Sequence, residues 1–268
     1  MVRPSKNSRG GRVSIGFIGV GDLASKVIKG LLREDSDVTI YLSPRGETAS
    51  RALAEHPQCI RLESNQQVID RADMIVLAVR PEQLRDIMRD TTFPKGKKIV
   101  SLIAGIELGT LKLLLDSEAV YRLMLTSAAE INQSMIAIFP PDPAIEARFA
   151  ALGNTLVFDS ENDFELSTVG VCMNGWLYFL LHAMHSWFTE RGMGEAQAKK
   201  LLIHCLKDIS AYAEQHSLPF NQIGESIATP GTHTDAGLQM LNRHHSHAAW
   251  SAACEVVYNR LTNHTAQQ

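Results

Sequence analysis

The run Val13-Ser14-Ile15-Gly16-Phe17-Ile18 breaks at Gly19-Val20-Gly21-Asp22-Leu23-Ala24 and passes at once into helical spacing at Leu23, Val27 and Leu31. An apolar strand that meets glycines and turns directly into a helix is the start of a β-α-β unit, and few folds accept it. In such a turn Gly19 permits the sharp change of direction. Gly21 lets the backbone approach a pyrophosphate, and Ala24 is small enough for the helix to lie close on the sheet. Asp22 and Leu23 begin the helix, whose first N–H groups point at whatever sits in front of them. The motif predicts a dinucleotide site at Gly19, Gly21, Asp22, Leu23 and Ala24, set against the plainer reading of a structural turn.

Downstream, the same alternation continues. "DVTIYLS" is the next strand candidate and "ETASRALAEH" reads helical. "ADMIVLAVRP" and "KKIVSLIAG" are continuous apolar runs cut off by Pro81 and Gly105, and "AVYRLML" and "SMIAIFP" follow. Alternating strands and helices predict an α/β domain with a mostly parallel, doubly wound sheet of Rossmann type over residues 13–160. Past residue 160 strand signals stop. Apolar residues recur at Leu166, Val169, Met173, Trp176, Leu177, Leu180, Met184 and Trp187, which describes one long helix that is apolar over more than one face. Residues 161–268 are therefore expected to form an all-helical domain that buries its second face in a homodimer. The polar, basic first twelve residues are expected to be a disordered tail.

The tip of the second strand selects between dinucleotides. A carboxylate there would accept from the ribose hydroxyls of NAD. This chain instead has Ser43-Pro44-Arg45, and a hydroxyl with a guanidinium suits a 2′-phosphate, so NADP is expected over NAD. The alternative leaves Arg45 as a solvated loop residue.

A second constellation lies at "TPGTHTDAGL", residues 229 to 238, where a proline and a glycine fix a turn before a helix start. With "IGFIGVGDLASKVIKGLL", "ADMIVLAVRPEQL" and "IVSLIAGI" it resembles the pyrroline-5-carboxylate reductase family of NAD(P)H-dependent imine reductases. The resemblance implies that Ala78, Val79, Pro81, Ala104 and Gly105 line the cofactor. It further implies that the loop holds the carboxylate of a small cyclic imine through Thr229, Gly231 and Thr232, with the Thr234 hydroxyl near the ring nitrogen. His233, which replaces a small residue of the family pattern, could deliver a proton, or point outward. Asn174 could contact the substrate, or only satisfy a backbone group on the long helix.

The chain also departs from that pattern. The family's R-x-M-P-N-T-P-A stands here as Arg122-Leu123-Met124-Leu125-Thr126-Ser127-Ala128-Ala129. Its S-G-S-G-P-A stands as Gly170-Val171-Cys172-Met173-Asn174-Gly175. The expected activity is thus reduction of pyrroline-5-carboxylate or a related imine acid. A family member that binds NADP without reducing anything is one alternative. A 3-hydroxyacid-type dehydrogenase is another, disfavoured because no lysine lies between Asp163 and Arg191.

Composition excludes other classes. A net charge of −3 on 268 residues gives no reason for nucleic acid or an anionic membrane as partner. No unbroken run approaches the ~20 apolar residues of a membrane span. Cys59, Cys172, Cys205 and Cys254 are far apart and unpaired in pattern, which fits a reducing cytoplasm. No metal is expected, because His244, His245 and His247 have no Cys or carboxylate at ligand spacing.

Overall fold

The computed structural model describes residues 13–263, and the expected tail at 1–12 lies outside the described residues. The chain divides into two compact units. One runs to Val171 and resumes at Tyr258; the other is Cys172–Val257.

The first unit is built on β1 (Ser14–Ile18), α1 (Asp22–Glu34), β2 (Thr39–Leu42), α2 (Glu47–Leu53), β3 (Cys59–Arg61), α3 (Asn65–Arg71), β4 (Met74–Leu77) and α4 (Pro81–Arg89). It continues through β5 (Lys98–Ser101), α5 (Leu108–Leu115), β6 (Val120–Leu125), β7 (Ser134–Phe139), α6 (Pro143–Phe149) and β8 (Gly153–Val157). The eight strands form one sheet in the order β3-β2-β1-β4-β5-β6-β7-β8. Adjacent residues of one strand point to opposite faces. Ile15, Phe17, Met74 and Val76 therefore pack with Val27, Ile28 and Leu31 of α1 on one face. Ile18, Ile75 and Leu77 pack with α3, α4 and α5 on the other. Two covered faces explain the unbroken apolar runs.

The sheet is mostly parallel, as expected, with one antiparallel pair near its far edge. β7 runs antiparallel to β6, with Leu123 opposite Ile138, while β8 runs parallel to β7. The link from β6 to β7 holds only a short 3-10 turn at Ser127–Ile131. A parallel return needs a crossover of about a dozen residues or more, so the strand must come back antiparallel.

Two charged clusters tie this edge together. Lys98 Nζ lies 2.6 Å from Asp142 Oδ1, the Tyr121 hydroxyl donates to Asp142 Oδ2 at 2.8 Å, and Asp142 caps α6 by accepting from the Ala144 and Ile145 N–H groups. Burial alone would raise the Asp142 carboxyl, but the hydrogen bonds from Lys98, Tyr121 and the Ile145 N–H, with the Lys98 charge, bring it down to about 2. A carboxyl held below its usual value of about 3.9 contributes stability that is complete above that value and lost as pH falls towards 2. With partial solvent screening we expect about 1–2 kcal/mol to disappear between pH 4 and 2. Urea melts of Asp142→Asn should lack that slope; an unchanged slope would assign it to other carboxylates.

The second cluster is buried. Arg122, on β6, is fully inaccessible. Its Nη1 lies 2.7 Å from Glu161 Oε1 and 2.6 Å from Glu165 Oε1, and its guanidinium sits 4.6 Å from the centroid of the Phe164 ring. Glu161 also accepts from the Leu108 N–H at the start of α5, at 2.6 Å. These glutamates stand on the first turns of α7 (Glu161–Glu190), so the cluster anchors that helix to the sheet.

The second unit comprises the rest of α7, with α8 (Glu195–Gln215), α9 (Phe220–Ile227), α10 (His233–Arg243) and the larger part of α11 (Ser246–Asn263). Ala198 and Leu202 are its buried apolar residues, while Tyr178, Phe179, Ile209, Tyr212 and Phe220 are exposed, the last to 83%. Helices that bury so little and expose so much present an association surface. By length and a mean hydropathy of 1.2, α7 could cross a membrane. Asn174, His182 and His185 interrupt its apolar run, which is why the sequence shows no continuous stretch.

Candidate functional site

The turn between β1 and α1 opens on a cavity of about 440 Å³. Its walls include Gly19, Gly21, Asp22, Leu23 and Ala24 from the turn and α1, Arg45 from the end of β2, and Ala78 and Val79 from the end of β4. These are the carboxyl ends of adjacent parallel strands, where open α/β sheets bind their ligands. A larger cavity of about 720 Å³, among Lys95, Lys112, Leu113 and Ser117, is lined from the opposite ends of β5 and β6. It lacks that arrangement.

Each turn residue has its reason. Gly19 has φ +88°, in the left-handed region that favours glycine. Gly21 has extended backbone, and a Cβ built on it would meet nothing within 4 Å. That leaves an open cradle before the first N–H groups of α1, the shape a pyrophosphate needs. Ala24 is buried against the sheet. Asp22 is exposed and pairs with Lys26 at 2.6 Å, and Lys26 also lies 3.2 Å from the Ser127 hydroxyl.

Ser43 has a different place from the one its sequence position suggests. It is fully buried behind the turn, and its hydroxyl accepts from the Gly19 N–H at 3.0 Å. It shapes the loop rather than lining the cavity. Arg45 is exposed at the cavity mouth, and Arg61 steadies its turn through the Pro44 carbonyl at 3.2 Å and the Ser50 hydroxyl at 3.0 Å. Pro81 is the first residue of α4 and lies between the lining residues Arg80 and Gln83 without itself forming the wall. Ala104 packs on the Met124–Phe164 cluster, and Gly105 has φ +72°; neither is in the cavity wall.

The cavity contains residues that the sequence reading missed: Val20, Gly46, Arg80, Gln83 and Leu102. Arg80 matters most, because it sets a second guanidinium in the same cavity as Arg45. Its signal was present in "LAVRP", where a basic residue follows the strand end. Gln83 accepts from the Arg80 N–H at 3.1 Å and so holds the start of α4.

In the second unit, Thr229 to Thr234 form the turn into α10. Gly231 has φ +84°. Thr232 is the N-cap: its hydroxyl accepts from the Asp235 N–H at 3.1 Å and donates to the Thr229 carbonyl at 2.7 Å. His233 and Thr234 are exposed on the first turn, whose N–H groups have no helical acceptor. The Gly231 N–H, however, is engaged by the Asp235 carboxylate at 3.1 Å, and Gln239 donates to the same oxygen at 2.9 Å. An internal carboxylate thus occupies the donor that the resemblance assigned to an incoming one. Asn174 is exposed on α7 in the same unit. Among the described residues, no three His, Cys, Asp or Glu side chains are grouped to hold a metal ion.

Comparison with known proteins places both units. Residues 14–105 match the family model described as NADP oxidoreductase, coenzyme F420-dependent, and residues 162–263 match pyrroline-5-carboxylate reductase dimerisation. The pyrroline-5-carboxylate reductases of Haemophilus influenzae and Synechocystis are 24% and 25% identical to this chain. Each alignment covers 92% of it, and 95% and 97% of the respective relatives. The solved 1-pyrroline-5-carboxylate reductase of Streptococcus pyogenes superposes with a TM-score of 0.83 at 25% identity, over 94% of this chain and 99% of that one. The Plasmodium falciparum pyrroline carboxylate reductase with NADP bound shares the fold, with a TM-score of 0.79 at 17% identity over 93% and 97%.

Proposed function

Given that the chain belongs to the pyrroline-5-carboxylate reductase family, we propose that it is an NADPH-dependent reductase of pyrroline-5-carboxylate or a closely related cyclic imine acid. The observation that carries this reading is the open cradle at Gly21 with two arginines, Arg45 and Arg80, lining the same cavity. A pyrophosphate over the turn and a 2′-phosphate at the guanidiniums account for that arrangement.

Bound there, NADPH supplies the hydride for the C=N carbon. The remaining tasks are to anchor the substrate and to protonate nitrogen. We assign the first to the loop from Thr229 to Thr232, with the N–H groups of the first turn of α10 receiving the substrate carboxylate. The Asp235 carboxylate has to yield the Gly231 N–H if that donor takes part. Thr234 is assigned the hydrogen bond to the ring nitrogen, and His233 is the side chain assigned to deliver a proton. Asn174 is a further polar group for the substrate.

We further propose that two copies associate through the C-terminal helices, and that the enzyme works in the cytoplasm. Light scattering at micromolar concentration should give a particle of two chains; a monomer would overturn the association.

Adding NADPH and then pyrroline-5-carboxylate to the protein, while following cofactor fluorescence, tests the activity. Binding followed by catalytic decay is expected. Cofactor that binds and then persists would favour a family member whose altered segments at 122–129 and 170–175 no longer support this reduction. For the cofactor preference, Arg45→Ala should raise the Kd for NADPH by about tenfold, the worth of one charge-assisted phosphate contact at an exposed position. NADH binding should be untouched. Equal weakening of both would remove the 2′-phosphate from Arg45.

A further inference from the structure

We propose that a cavity beside the Arg122 cluster binds a small organic ammonium ion, about the size of ethylammonium. The cavity has a volume of about 200 Å³ and is lined by Glu107, Glu161, Asn162, Glu165, Leu261 and Thr262, all in the first unit. None of these lines the cavity at the β1–α1 turn, so the proposal stands apart from the reductase reading.

Charge is the first argument. Two carboxylates, Glu161 and Glu165, share one guanidinium, and a third, Glu107, stands on the cavity wall. Glu161 is engaged by the Leu108 N–H and Arg122, and Glu165 offers only Oε1 to Arg122. The Glu165 side chain is 7% exposed, and its Oε2 is buried with no hydrogen-bond partner. A buried carboxylate oxygen without a donor is costly, and a cluster one positive charge short of balance invites a cation.

The shape of the site decides which cation. A metal ion needs ligands converging on one point, and no such group occurs among the described residues. An ammonium instead donates separate N–H bonds to separate acceptors, which suits Glu165 and the exposed Glu107 on two different elements. At roughly 30 Å³ per water, the volume corresponds to about seven waters, enough for a cation of a few heavy atoms and too little for a nucleotide. Leu261 supplies an apolar wall for a short alkyl group.

Thermal melting of the full-length protein in ethylammonium chloride, against sodium and potassium chloride at equal ionic strength, tests the site. Ethylammonium alone should raise Tm saturably. Glu107→Gln, which leaves the Arg122 contacts intact, should weaken the apparent affinity several-fold, and Glu165→Gln should abolish the effect. Equal shifts in all three salts, or a shift with potassium alone, would overturn the proposal. Should Glu165→Gln fail to fold, the Glu107→Gln titration decides, and an unchanged affinity sinks the site.

Discussion

Gly19→Ala is expected to weaken NADPH binding by about a hundredfold or more. At φ +88°, an added Cβ would sit 2.5 Å from Val79 Cγ1 and 2.6 Å from the Ala78 carbonyl oxygen. The left-handed conformation costs a non-glycine residue roughly 1–2 kcal/mol. The carbonyl has little room to retreat, because the Ala78 N–H is held by the Ile18 carbonyl at 2.9 Å. The turn must therefore move, and with it the cradle. A total near 3 kcal/mol corresponds to about two orders of magnitude in Kd. Gly21→Ala is the companion test. Its Cβ would meet no protein atom and its backbone is ordinary, so Tm should stay within about 1 °C of the parent. Only the approach of the pyrophosphate is obstructed. Parent-like NADPH affinity in Gly21→Ala, read by fluorescence titration, would show that the dinucleotide does not lie over this turn.

Arg122→Met is expected to destabilise the protein by about 3–5 kcal/mol, the usual cost of removing one partner of a buried ion pair. The loss arises from what remains. Burial already pushes the Glu165 carboxyl up, against the opposing pull of Arg122, with Glu161 and Glu107 adding to the rise. Without the guanidinium that carboxyl rises further, so the folded variant holds a proton that the unfolded chain releases near pH 4. Its deficit should accordingly grow from acid towards neutral pH. The double variant Arg122→Met/Glu165→Leu should recover part of the loss, since an apolar pair avoids the desolvation cost that the ions carry. Urea denaturation at pH 5 and pH 8 measures both. A double variant no better than the single one would mean that packing around Phe164, not charge, governs this cluster.

The strand-turn-helix at Ser14–Glu34, the buried runs of β4 and β5, and the long α7 were legible because each depends on local periodicity or on a residue that only one conformation tolerates. The short strands β3 and β8 were not. β3 has three residues, and β8 is half-exposed at the edge of the sheet, so neither carries the apolar run that marks a buried strand. The reversal at β7 follows from connection length rather than from the composition of the strand.

Site residues divide along the same line. Gly19, Gly21 and Ala24 could be read from spacing alone, because the chemistry of the turn is local. Ser43 could not, since its hydroxyl is claimed by a backbone group 24 positions away. Arg80 and Arg45 are separated by two strands and two helices, and only the sheet order, which sets β2, β1 and β4 side by side, brings both to one cavity. The same holds for Arg122 with Glu161 and Glu165, which come from different elements. The amino-acid order by itself determined the class of fold, the dinucleotide turn and the apolar helices of the second unit, because periodicity and glycine conformation act between near neighbours. Which charges meet, and which hydroxyls are left to meet a ligand, was decided by the tertiary structure, because those pairings depend on strand order and helix placement that no short stretch of sequence encodes.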